Sequence, residues 1–141
     1  MNSTAAIFAR MAVVAASLET YNGAPAIFSE RAPDDFLDTP PVKPFVIIAA
    51  PKRDDFAGTF TEDARLVEHN VLIHQRDHGS SASLDAVART IREAFHNRPT
   101  EMSVDGGRVT IVTATGPVAS PTVDPALLGR RVLISLEMQR N

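Results

Sequence analysis

The chain has 141 residues, 44% of them hydrophobic and 22% charged, which suits one ordinary globular domain with a modest core. Its 14 basic and 17 acidic side chains leave a formal net charge of −3, so there is no strongly basic field to gather nucleic acid and no Lys/Arg run to hold a membrane surface. There is no cysteine, which excludes disulfides, thiol nucleophiles and thiolate metal sites.

In chain order, Ser3 or Thr4 can cap a helix starting near Ala5, with Ile7, Met11, Val14 and Leu18 as its apolar stripe and Asn22-Gly23 as its end. Met11–Ala16 is the longest early apolar run. It falls short of the roughly 20 residues a bilayer span needs, and an amphipathic helix explains it better than a secretory leader. Ala26–Ser29 is a short strand candidate. Glu30–Lys43, with Pro33, Pro40 and Pro41, reads as a loop outside the sheet, because proline lacks the donor a ladder requires. Phe45–Ala50 is a continuous apolar run, expected as a strand buried on both faces and closed by Pro51.

The most informative stretch is Leu66–Phe95. Residues 66–76 alternate: Val67, His69, Val71 and Ile73 face one way, Glu68, Asn70, Leu72, His74 and Arg76 the other. After turn chemistry between Asp77 and Ser83, the period changes. Leu84, Val87, Ala88, Ile91, Ala94 and Phe95 form one helical stripe, ended before Pro99. Two adjoining segments with one apolar side each bury those sides together, a gain of roughly 5–10 kcal/mol before chain entropy. Glu101–Val104, Asp105-Gly106-Gly107 and Arg108–Thr115 read as a hairpin. Arg130–Gln139 is a last alternating strand. The expected fold is α+β in the order α-β-β-β-α-β-β-β. It is one domain over 1–141, with a mainly antiparallel sheet of five to six strands and both helices on one face.

Residues that could carry chemistry have simpler readings. His69 and His74 face opposite sides of one strand and His78 lies in the turn beyond, so they do not converge as metal ligands; His69 reads as a hydrogen-bonded histidine near the sheet face. Asp54-Asp55 and Glu62-Asp63 sit among Lys52, Arg53 and Arg65, a charged loop rather than tuned acids. Ser80-Ser81 lacks the Gly-x-Ser-x-Gly frame of a nucleophile elbow, and Asp105-Gly106-Gly107 lacks the helix and lysine of a phosphate loop. Asp85 and Arg89 read as a surface i,i+4 pair. No cofactor or metal is expected.

Two features point to assembly. The spans 51–64 and 116–128 read as long loops, and loops beyond about 12 residues are usually functional or disordered. The first carries Lys52, Arg53, Asp54, Asp55, Phe56 and Phe60, whose aromatics suit interface anchors or fold back onto the domain. The second carries Val118, Val123 and Leu127. The final strand, if at a sheet edge, would offer backbone groups to another chain.

The order of segments resembles the tail terminator, or tail completion, proteins of long-tailed phages and gene transfer agents. The residues carrying the resemblance are Ala26-Ile27-Phe28 with Ala32-Pro33, Pro44-Phe45-Val46-Ile47-Ile48, and His69–His74 leading into Leu84–Phe95. Arg131–Leu136 matches the closing strand. The chain departs in 116–128, which is longer and richer in proline than the pattern. The resemblance implies a virion protein without catalysis, a hexameric ring that caps the tail tube and meets the head connector or head-closure protein. Its subunits would associate head to tail. DNA would pass the lumen unread, which the acidic net charge suits. Assembly would occur in the host bacterial cytoplasm, without a membrane. Another neck protein, a small ligand-binding or regulatory α+β domain, and an enzyme are the alternative readings.

Overall fold

The computed structural model describes residues 1–58 and 63–141. The chain is organised by strand β6 (Ala64–Arg76), which pairs antiparallel along its whole length with β8 (Leu127–Arg140). β7 (Gly107–Ala119) lies antiparallel beyond β8. On the other side of β6 run β4 (Phe45–Ile48) and then β5 (Arg53–Phe56), both antiparallel to it, and β3 (Ile27–Ser29) lies parallel to β4. The result is a six-stranded sheet, within the five to six strands expected and mainly antiparallel, made mixed by the parallel β3–β4 pair. A separate small ribbon pairs β1 (Thr20–Tyr21) with β2 (Ala24–Pro25).

Period-two alternation in β6 and β8 gives the sheet two different faces. On one, Val67, Val71 and Ile73 meet Val132, Ile134 and Leu136 in a fully buried core. That core is roofed by α1 (Ser3–Arg10), its tighter 3₁₀ continuation Met11–Ser17, and α3 (Ala82–Phe95). Both helices therefore lie on one face. The expected stripe Leu84, Val87, Ala88, Ile91, Ala94 and Phe95 is the buried side of α3. The opposite face carries a smaller aromatic cluster: Phe45 and Ile47 of β4 pack with Ala26, Ala32, Tyr21, Phe28, and Phe36 of the short helix α2 (Asp34–Leu37). Phe45-Val46-Ile47-Ile48 is thus buried on both sides, with alternate residues feeding different cores.

Several segments differ from their sequence reading. Asn2, not Ser3 or Thr4, caps α1: its Oδ1 accepts the Ala5 N–H at 3.0 Å. Ser3 turns inward instead. The neighbouring β-branched residues Val13 and Val14 are weak helix formers, and there the helix has tightened to 3₁₀ geometry while keeping Ile7, Met11, Val14 and Leu18 buried. Asn22-Gly23 turns the β1–β2 ribbon, both residues at positive φ, rather than ending the helix directly. Glu101–Val104 is not a strand. Pro99 opens a short 3₁₀ turn, and Met102 plugs the core ahead of β7.

The larger corrections concern the two spans read as loops and the last strand. Within 51–64, Arg53–Phe56 is β5, with Arg65 bound to Asp54 at 2.6 Å and Arg53 near Glu68 at 3.7 Å across the ladder. Within 116–128, β7 runs on to Ala119 through a register shift between Thr115 and Val118, and β8 already starts at Leu127. The last strand is not at an edge but lies between β6 and β7. The edge of β7 is itself covered midway: Asn97 N donates to Val112 O, and Ala114 N donates to His96 Nδ1. Asp85 pairs with Arg130 on β8 at 2.7 Å, not simply with Arg89. Burial works against its carboxylate, but the Ser81 hydroxyl and Arg130 hold its pKa below the ordinary value.

His69 is fully buried under α1. Its Nδ1 sits 2.8 Å from Ala49 O and so must donate, leaving Nε2 to accept from the Ser3 hydroxyl at 2.7 Å. His74, on the other face, stacks edge-on against Phe45, and its Nε2 makes no hydrogen bond among the described residues. Burial lowers its pKa below the usual 6.5. The unfolded chain therefore binds this proton at a higher pH than the fold does. Stability from His74 is complete above about pH 6.5 and falls as the pH drops toward the folded value. We expect denaturant midpoints between pH 7.5 and 5 to fall with acidification and His74→Phe to flatten that part of the profile.

Candidate interaction surfaces

The aromatic cluster covers only one end of the sheet's second face. The rest is open: Leu66, Glu68 and Asn70 of β6, Leu133, Ser135 and Glu137 of β8, and Thr113 of β7 stay half-buried, while Ile111, Thr115 and Arg131 are exposed. Strand alternation dictates this, because every second residue of three long strands must point away from the helices.

A concavity of about 150 Å³ lies on this open face, lined among others by Lys52, Asn70, Gly116, Val118, Arg131 and Leu133. It joins the two spans singled out in sequence. Lys52 comes from the turn between β4 and β5, Val118 from the far end of β7. Asn70, Arg131 and Leu133 form its floor, and sequence reasoning passed over them. Their only trace was their place on the polar side of an alternating strand. The bulge at Gly116 opens the rim. Gly116 has φ +114, and a Cβ there would sit 2.8 Å from Arg131 O, so no side chain fits without backbone movement.

The remaining candidates lie elsewhere. Arg53, Asp54, Asp55 and Phe56 form β5, all exposed. Ala57 N donates to Ala64 O. By ladder alternation Arg53 and Asp55 also face β6, so the backbone groups of Asp54 and Phe56 point to the outer edge. Among the described residues no strand lies beyond them. Phe56 is 62% exposed at this edge and does not fold back onto the core. Phe60 falls outside the described residues. Val123 stands fully exposed in the turn between β7 and β8, and Leu127 packs against the aromatic cluster.

A second groove, about 310 Å³, runs between the 3₁₀ segment and α3, lined by Val13, Ser17, Lys43, Ala86 and Thr90. It carries no convergent set of titratable side chains. The Ser3–His69 contact is sealed in the core and open to no substrate. Among the described residues, no three His, Asp or Glu side chains are gathered as metal ligands, and no helix is long and apolar enough to cross a membrane.

No protein-family model and no curated protein matches the sequence. Its fold is that of a chain in a solved structure titled as the virion of a native gene transfer agent (GTA) particle. The two superpose with a TM-score of 0.73 over 97% of this chain and 94% of that one, at 15% identity. A further solved chain aligns over 100% of this sequence at 20% identity with a TM-score of 0.43.

Gly116→Ala should lower stability by roughly 1–3 kcal/mol, the cost of a strained backbone position plus a close contact. Gly79→Ala, whose Cβ would meet nothing within 4 Å although its φ is +89, isolates the backbone share. Chemical denaturation of the two variants separates the two contributions.

Proposed function

We propose that this chain is a ring-forming tail terminator of a phage-like particle, capping the tail tube and presenting a surface to the head connector. The observation that carries the reading is the full-length likeness of fold to a chain of a gene transfer agent virion. The segment order that resembles tail terminators supports it independently. An open β5 edge and a half-exposed sheet face are surfaces suited to neighbours in an assembly. The ring is a homohexamer with head-to-tail contacts. The subunit is structural and catalyses nothing. DNA crosses its lumen without sequence readout, and an acidic chain of net charge −3 does not grip phosphates on the way. It works in the virion, at the junction of tail and head.

Particles produced with a tagged copy provide the test. The tag should stay with headless tails at one end of the tube; recovery on tailless heads would reassign the chain to head closure, and recovery on neither would remove it from the particle. In the same preparation Phe56→Ala should lower occupancy at the tail end by tenfold or more, as truncation of an aromatic anchor does. Its melting temperature should stay within about 2 °C of the unaltered chain, because the ring is not part of the core.

A further inference from the structure

Of the chain's 14 Lys and Arg side chains, six are ion-paired among the described residues and eight, Lys52 and Arg131 among them, are not. Six arginines find carboxylates within the chain: Arg10 and Arg98 with Glu101, Arg53 with Asp55, Arg65 with Asp54, Arg130 with Asp85 and Arg140 with Asp63. Lys52 and Arg131, which flank the 150 Å³ concavity, make no ion pair among the described residues. Between them Asn70 offers a further donor, and Leu133 and Val118 supply apolar walls. The hollow, about 150 Å³, has room for the head of an acidic side chain.

The acid that matches it sits on the same chain, elsewhere on the same face. Helix α2 presents Asp34 and Asp35, with Asp38 just after it, all exposed. Asp35 accepts the Tyr21 hydroxyl, and neither Asp34 nor Asp38 pairs with a cation among the described residues. The segment is held rigidly from beneath. Phe36 packs edge-on against Tyr21, Phe28 and Phe45, with ring centroids 5.0 to 5.6 Å apart. A rigid acidic knob and a basic hollow on one sheet face are complementary without being in contact. Two patches of that kind, held apart on one rigid chain, pair between different copies, either reciprocally in a two-fold dimer or head to tail, and the head-to-tail form is the one that propagates until it closes into a ring. Charge matching of this sort also sets orientation and speeds encounter.

We propose that the Lys52–Arg131 hollow of one copy receives the α2 segment of the next, through Asp34 and Asp38. This rests on the ring reading above and names the contact that closes it. Asn70 and Arg131 hold the incoming carboxylate, and Leu133 and Val118 wall the hollow beside it. Salt weakens the contact, since both patches are exposed in the free chain.

Sedimentation velocity of the purified full chain over a concentration series, at 50 and 500 mM salt, tests it. K52E/R131E and D34K/D38K should each raise the concentration needed for rings at least tenfold. Mixing the two variants in equal amounts should restore rings of alternating subunits, because each reversed patch then meets its complement. The chain carrying all four reversals should assemble alone. All four positions are exposed, and circular dichroism melts confirm folded variants. Rings from the unaltered chain that are indifferent to both reversals would overturn this contact while leaving the ring reading intact. Loss in both variants without recovery on mixing would do the same. An unaltered chain that forms no ring at any concentration would sink the ring reading and this contact together.

Discussion

The pairing of β6 with β8 is the constraint on which the other elements depend. The 13 residues of β6 are laddered to β8 without a register break, from Ala64 opposite Gln139 to Arg76 opposite Leu127. A ladder of that length fixes which side chains point each way, because a slip of one residue would exchange the two faces completely. Val67, His69, Val71 and Ile73 go under the helices together with Val132, Ile134, Leu136 and Met138. His69 can be afforded there because the Ser3 hydroxyl and the Ala49 carbonyl satisfy both ring nitrogens. The same contact ties the start of α1 to the centre of the sheet, so the roof is positioned by a polar pair as well as by packing.

The second face follows from the first by geometry alone. Once one set of side chains is buried, the alternate set must face outward, and among the described residues one small aromatic cluster covers it. That cluster shields the β3–β4 end. The β7–β8 end stays open, and there the sheet carries Leu133 and Thr113 half-exposed beside Arg131. The surface is mixed in character rather than strongly apolar, which lets a free subunit remain dispersed while still presenting area to a partner.

How much of this was legible in the sequence depended on how strongly local pattern and tertiary context agreed. Val67 to Ile73 and Leu84 to Phe95 were readable residue by residue, since a period of two and a stripe of 3.6 are both properties of the segment itself. β5 was hidden because Arg53-Asp54-Asp55 has poor strand propensity. It is held in extended form by cross-strand partners, Arg65 for Asp54 and Glu68 for Arg53, that no local rule can foresee. The end of β7 was hidden by Pro117, which looks like a strand breaker. It is tolerated because β7 is an edge strand and the bulge at Gly116-Pro117 needs no ladder donor there. Of the candidate surface residues, Lys52 and Val118 do share one hollow. Asn70, Arg131 and Leu133 were invisible as site residues because on a strand they look like ordinary outward-facing positions.

The placement of the open face also bears on direction. A contact made by one patch with its own copy would form a two-fold pair and stop. Here Lys52 and Arg131 flank one hollow while Asp34 and Asp38 stand on α2 over the aromatic cluster, so like charges oppose the pairing of either patch with its own copy. The interior position of β8 and the cover that His96 and Asn97 place over the middle of β7 weaken sheet-to-sheet pairing along that side. What remains for association is the β5 edge with its exposed Phe56 and the charged face itself. In the ring proposed above, the matching of these charges, more than any apolar area, is what would orient one copy on the next.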